Sequence, residues 1–193
     1  MEKIHYDTPM AKAIMELLGN YADVLRRADV PPGACRAFIF GGCALHLHTK
    51  ARGSNDLDVE FEATGQLNLS ETIMEVEDVF FDDPDTGPSS LTIDPNFSPV
   101  LGPLHEDYQQ NAISLNARET SPLQVFVVEK VDLAISKLGR FGDQDIADIH
   151  TLFDHGLCIE HFRSKAREAI DYAVGNRDKL TGNLDQVINL YKL

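Results

Sequence analysis

No stretch of the chain comes near the roughly 20 consecutive apolar residues that a membrane-crossing helix needs, so no membrane partner is expected. Cysteine is scarce as well. Cys35, Cys43 and Cys158 are odd in number, far apart and without a Cys-x-x-Cys pair, which argues against a disulfide framework or a structural zinc site and suits a reducing compartment. Met1 to Tyr6 lacks the basic stretch and apolar run of a secretory signal, and a cytoplasmic location is the expectation. Positive charge is the other shortage: 17 Lys and Arg stand against 31 Asp and Glu, a net charge of -14. Broad adhesion to nucleic acid or to an anionic membrane is thereby disfavoured. A site that gathers carboxylates around metal ions fits the same balance.

What is present is an ordinary globular mixture, 43% apolar and 25% charged over 193 residues, enough for one core with a helical appendage. Asp7-Thr8-Pro9 reads as a helix start, and Met10, Ile14, Leu17, Leu18, Tyr21, Val24 and Leu25 follow at helical spacing until Pro31-Pro32-Gly33. Arg36 to Phe40 reads as a strand, Cys43 to His48 as a short helix, and Leu57 to Phe61 as a strand of alternating apolar and acidic residues. Further strands are expected at Val76 to Phe81, Leu91 to Ile93 and Leu123 to Val128. Asp82 to Ser90 reads as turn-rich, and residues 95 to 111 as an ordered loop. From Lys130 onward helices dominate, broken near Gly142, Gly156 and Gly175, with apolar stripes over Glu160 to Val174 and Asn183 to Leu190. The expected layout is a mixed α/β part over residues 1–129 and a helical part over 130–193.

The chemistry concentrates between Phe38 and Phe61. Gly41-Gly42 follows a strand and precedes a helix, which lets the backbone approach a phosphate whose charge the helix N-terminus favours. After Arg52-Gly53-Ser54-Asn55 come Asp56 and Asp58, two apart, which in one strand share a face. Two crowded carboxylates repel unless a cation lies between them, and a hard divalent ion such as magnesium prefers such oxygen ligands.

In this order the elements resemble the nucleotidyltransferase superfamily: an apolar strand, Gly-Gly or Gly-Ser, about ten residues, then Asp-x-Asp. The resemblance implies a mixed sheet flanked by helices and a third carboxylate on a later strand, for which Asp94 is the candidate, ahead of Asp82, Asp83 and Asp85 in their turn-like cluster. The stretch from Glu129 through Lys137 to Phe141, followed by Asp145 and Asp148, looks like the AbiEii-like toxins of bacterial toxin–antitoxin systems. Leu104-His105-Glu106-Asp107-Tyr108 is similar to a related uncharacterised branch. On these resemblances Asp56, Asp58 and Asp94 would hold two Mg2+ ions, and Gly41, Gly42, Arg52 and Ser54 would cradle the triphosphate of an NTP. Lys137 would hold nucleotide phosphates, with Asp145 or Asp148 orienting it or assisting the attacking hydroxyl. The C-terminal part would thus complete the active site. The implied reaction moves a nucleoside monophosphate to a hydroxyl of RNA, transfer RNA among them, or of protein, with an antitoxin as a further partner. The alternative is a degenerate member that binds nucleotide or a partner protein without turnover.

The chain departs from the superfamily at Gly42, where serine is common. Backbone amides or Ser54 would have to replace that hydroxyl. Other residues read more plainly: His46, His48, His105, His150, His155 and His161 as scattered histidines, and Cys43 as a small buried side chain.

Overall fold

The structure, a computed structural model, describes residues 3–64, 67–116 and 120–191. Among these the fold is mixed α/β, with two mixed sheets and eight helices. None of the helices is long and apolar enough to cross a membrane. Two compact units divide the chain: Met1–Phe97 with Ala112–Val127, and Ser98–Asn111 with Val128–Leu193.

The first unit opens with α1 (Pro9–Arg27). Thr8 caps it by accepting the Ala11 N–H at 3.0 Å, Pro9 suits the first turn, and Arg26 and Arg27 complement the dipole at its end. The seven apolar residues expected from helical spacing are all buried. Tyr21 lies against Phe61, ring centroids 4.8 Å apart, and its hydroxyl meets Thr72 Oγ1 at 3.1 Å. Burial pushes that phenol up to about 12.

Strands β1 (Cys35–Ile39), β3 (Val59–Ala63), β6 (Ile113–Ser114) and β7 (Leu123–Val127) form one sheet in the order β3-β1-β7-β6. β1 runs parallel to β7 and antiparallel to β3. Ala37, Phe38 and Ile39 are consecutive and fully buried, the pattern of a strand covered on both faces. The other sheet has the order β2-β5-β4, from β2 (Asp56–Leu57), β4 (Val79–Asp83) and β5 (Gly87–Ile93). Between β1 and β2 lies α2 (Gly41–Thr49), and α3 (Leu69–Met74) precedes β4.

Two expectations need correction here. Leu57 to Phe61 is not one strand: Leu57 pairs with β5 in one sheet, Val59 to Phe61 pair with β1 in the other, and Asp58 belongs to neither ladder. Its carbonyl accepts the Phe40 N–H at 2.8 Å instead. The turn of Asp82 to Ser90 shrinks to Pro84, Asp85 and Thr86. One oxygen of Asp83, Oδ1, accepts from the Asp85 N–H, the Thr86 N–H and the Thr86 hydroxyl, and that tight closure lets both flanking strands run further.

The second unit is helical: α4 (Tyr108–Asn111), α5 (Lys130–Ser136), α6 (Asp143–Asp154), α7 (Ile159–Tyr172) and α8 (Arg177–Leu190). Residues 95 to 111 are not all loop, since α4 and a 3-10 turn at Pro99–Leu101 interrupt them. α8 starts six residues before the apolar stripe at 183 because Asn176 caps it, Oδ1 accepting the Lys179 N–H at 3.1 Å. Phe162, Ala166, Ala169, Ile170, Leu184, Val187 and Ile188 are core. A buried ion pair ties α5 to α7, Lys165 Nζ to Asp132 Oδ2 at 3.0 Å.

Thr8 has a second partner, donating its hydroxyl to His46 Nε2 at 2.8 Å while His46 Nδ1 donates to the Ala51 carbonyl at 2.7 Å. Thr8→Ala removes a cap and an interhelical bond together. It is expected to lower the unfolding free energy by about 1–2 kcal/mol, read from the urea midpoint.

Candidate active site

The site is built around the turn from β1 into α2. Phe40 is extended, and Gly41 then takes φ +60°, a left-handed value that favours glycine. Space makes the same demand. A β-carbon at Gly41 would fall 1.7 Å from Asp58 Oδ2 and 2.6 Å from its Cγ, so the Asp58 carboxylate is packed directly on the first turn of α2.

Gly42 is crowded from the other side. A β-carbon there would lie 2.9 Å from both Ser54 Cβ and Arg52 Nη1, and 3.3 Å from the Gly53 carbonyl. Arg52 Nη1 donates to that carbonyl at 2.9 Å, and Ser54 Oγ accepts the Asp56 N–H at 3.3 Å. The structure therefore brings Gly41, Gly42, Arg52, Ser54 and Asp58 together. It also accounts for glycine at 42: Ser54 already fills the space that a side chain there would take.

Asp56 is exposed and Asp58 half-buried. Asp56 belongs to β2 and Asp58 is the strand break itself, so a two-residue repeat along one strand is not what relates them. Their common neighbour is Cys43, whose thiol donates to the Asp56 carbonyl at 3.5 Å. Burial, then the charges of Asp58 and Asp56, push the Cys43 thiol far up, with Arg52 opposing them. That thiol is core, as expected, and no nucleophile.

Asp94 arrives beside the pair through the backbone. β2 and β5 are parallel, Leu57 opposite Ile93, and the Asp94 N–H donates to the Leu57 carbonyl at 3.1 Å. Its Oδ1 accepts the Asn96 N–H at 2.8 Å, and Phe97 packs on Phe40 with centroids 5.4 Å apart. Among the described residues no three His, Cys, Asp or Glu side chains gather as a group able to hold a metal ion. Asp56 and Asp58 offer the hard oxygen donors that a divalent cation prefers. Asp94 caps its own turn.

Lys137, Asp145 and Asp148 lie in the helical unit. Lys137 follows α5 and is buried; its Nζ meets Asp148 Oδ2 at 2.6 Å and Asp145 Oδ1 at 3.9 Å. Gln144 donates to Asp148 Oδ1 at 2.9 Å. Arg140 clasps Asp145 through Nε and Nη2 at 2.7 and 2.8 Å, and the Gly142 N–H adds 3.1 Å. Asp145 and Asp148 are thus interior residues, 2% and 1% exposed, and Asp145 also lies in the first turn of α6. The sequence contains their spacing but not their inward turn, and Arg140, inside the stretch from Glu129 to Phe141, is assigned no role by it.

The histidines stay scattered. His46 serves Thr8 and Ala51, His105 Nε2 meets Glu168 Oε2 at 3.2 Å, and His150 pairs with the Tyr191 hydroxyl. Phe81, Thr86 and Ser89, which no pattern singled out, line a cleft of about 810 Å³ with Arg52, Gly53 and Ser54.

Residues 12–181 match the family described as "Nucleotidyltransferase of unknown function (DUF6036)". The chain belongs to this family. A search of curated proteins finds no match. The match takes in the glycine turn, the Asp56 and Asp58 pair and the Lys137 network of this nucleotidyltransferase.

Two outcomes are expected. Gly42→Ser should lower stability by about 1–3 kcal/mol through overpacking, and Ser54→Gly in the same chain should restore most of the loss; an unmoved urea midpoint in the single variant would remove this account of Gly42. The second concerns pH. Burial works against ionised Asp145, but the Arg140 and Gly142 hydrogen bonds and nearby cations prevail and hold its pKa below the ordinary 3.8. Its stabilising contribution is then complete above 3.8 and is lost as pH falls through the lower folded value. Asp145→Asn should be less stable than wild type at neutral pH, with the gap closing in acid when denaturant midpoints are compared.

Proposed function

We propose that this nucleotidyltransferase moves a nucleoside monophosphate from an NTP to a hydroxyl of RNA or protein, releasing pyrophosphate, with Asp56 and Asp58 as the central metal-holding carboxylates. The contact that supports this reading most is Asp58 Oδ2 laid on Gly41, 1.7 Å from where a β-carbon would stand, because it fixes a carboxylate against the turn suited to phosphate. Gly41 and Gly42 present backbone to the triphosphate, Ser54 supplies a hydroxyl beside Gly42, and Arg52 offsets phosphate charge. Asp94 is the third candidate ligand. Mg2+ held by these carboxylates would lower the pKa of the acceptor hydroxyl and offset charge gathering at phosphorus. The resemblance to AbiEii-like toxins extends the proposal to a toxin with an antitoxin partner.

A second reading has an observation of its own. Asp94 directs Oδ1 to the Asn96 amide, and a member whose third ligand stays so engaged would bind nucleotide or a partner protein without turnover.

The two separate by experiment. With Mg2+ and NTP at about a hundred times Kd, binding adds about 2.7 kcal/mol, or roughly 5–10 °C in Tm for a chain of this size, and Asp58→Ala should abolish the shift. Label transferred from an α-labelled NTP supports the transferase. A shift without transfer supports nucleotide binding without turnover, and no shift with any nucleotide overturns both nucleotide readings and leaves only the partner-protein form of the second.

A further inference from the structure

We propose, resting on the transferase reading above, that the acceptor is a hydroxyl side chain in a basic, extended peptide segment docked along the β4–β5 hairpin. The cleft of about 810 Å³ that borders Arg52, Gly53 and Ser54 has Phe81, Asp83, Asp85 and Ser89 on its hairpin side. A second hollow of about 470 Å³ shares Asn55, Phe81 and Ser89 with it and adds Phe80 and Asp82. The two share Asn55, Phe81 and Ser89 and lie along the two faces of the hairpin, Phe81 and Asp83 on one and Phe80 and Asp82 on the other, all within the first unit.

Three features of that hairpin select its occupant. The first is sign. The hairpin carries Asp82 on one face, Asp83 on the other and Asp85 in its turn, on a chain of net charge -14. Of the cations on the opposite side of the cleft, Lys50 Nζ is paired with Asp7 at 2.7 Å, and Arg52, held to the Gly53 carbonyl at 2.9 Å, serves the triphosphate in the reading above. A polyanion such as RNA meets repulsion along this path, and Lys or Arg side chains meet attraction. The second is an exposed aromatic. Phe80 is 80% exposed and lies two residues from Asp82 on the same face of β4, a pairing that receives a guanidinium by its ring and by its charge. The third is the strand edge. β4 ends its sheet, with β5 its only ladder partner among the described residues, and an edge strand accepts an extended peptide through main-chain hydrogen bonds.

In the step itself the side-chain oxygen bonds to the α-phosphorus of the NTP, and the bond from that phosphorus to the bridging oxygen breaks. Pyrophosphate leaves with the electron pair of that bond, and the hydroxyl proton passes to solvent. The product is a phosphodiester that joins the peptide side chain to the nucleoside.

The test uses the full chain with Mg2+ and each α-labelled NTP. Three acceptors are offered: peptides with Ser, Thr and Tyr flanked by Lys and Arg, the same peptides flanked by Glu, and RNA with a free 3′ end. Transfer to the basic peptides is expected at least tenfold above the acidic ones, falling with added salt. Asp82→Lys with Asp85→Lys should cut it at least fivefold, as should Phe80→Ser. Asp83 is spared because it closes the turn, and the unfolding temperature of each variant checks its fold. Label on RNA, or equal label on basic and acidic peptides, overturns the peptide acceptor and leaves the transferase standing. No label on any acceptor, from chain that Mg2+ and NTP stabilise, overturns the transferase with it.

Discussion

A chain that serves two sheets in succession must leave one hydrogen-bond ladder before it enters the next, and Asp58 is the residue at that step. Its carbonyl accepts the Phe40 amide, which joins the crossing to the end of β1. Its carboxylate occupies the space over Gly41, which joins the same crossing to the start of α2. Backbone and side chain of one residue therefore hold strand end, glycine turn and strand break in one arrangement. Leu57 on one side is fully buried against β5, and Val59 on the other against β1. With both neighbours anchored, Asp58 has little freedom to move away from the glycine.

The acids of this chain fall into two kinds by surroundings. In the helical unit Asp132, Asp145 and Asp148 are buried, and each faces a cation at 3.0 Å or less. Buried carboxylates are tolerated only with such partners, since an uncompensated charge there costs several kcal/mol. Burial still raises the pKa of Asp132 although Lys165 opposes it, whereas the Arg140 clasp takes Asp145 the other way. Around the strand break the acids lie nearer to solvent, Asp56 exposed and Asp58 half-buried, where an incoming cation can reach them.

Much of this was legible in the sequence because it rests on local signals. The cap at Thr8, the spacing along α1, the apolar run of β1 and the breaks at Gly142, Gly156 and Gly175 are each set by residues a few positions apart. The division at Asp58 was not legible, because alternation of apolar and acidic residues runs straight through Leu57 to Phe61 and only the partners β5 and β1, remote in sequence, separate the two halves. The hairpin was misjudged for a related reason. Asp, Pro and Gly from 82 to 90 signal a turn collectively, yet a single oxygen of Asp83 satisfies three donors and leaves the remainder free to be strand. Of the candidate site, the identities of Gly41, Gly42, Asp56 and Asp58 stood out by order alone. That Arg52 and Ser54 fold back onto Gly42 is a tertiary fact with no periodicity to announce it.

Gly42 shows what such folding back does to an inference from motif. Read along the chain, glycine where the superfamily commonly has serine removes a phosphate-binding hydroxyl and favours a degenerate protein. Read in space, Ser54 Cβ stands 2.9 Å from where a β-carbon at 42 would be, so a hydroxyl is carried to the same turn from twelve residues later. A serine at 42 and a serine at 54 could not both fit without displacement. The departure is then a relocation, and it loses its weight against activity. What weighs on that question instead is Asp94, whose N–H donates to the Leu57 carbonyl between the pair while one of its oxygens caps Asn96. An Asx cap is a single hydrogen bond of about 1 kcal/mol, and a divalent cation between carboxylates offers far more than that. The cap is therefore a weak barrier to the metal binding proposed above, and it counts little for the second reading against the proposed transferase.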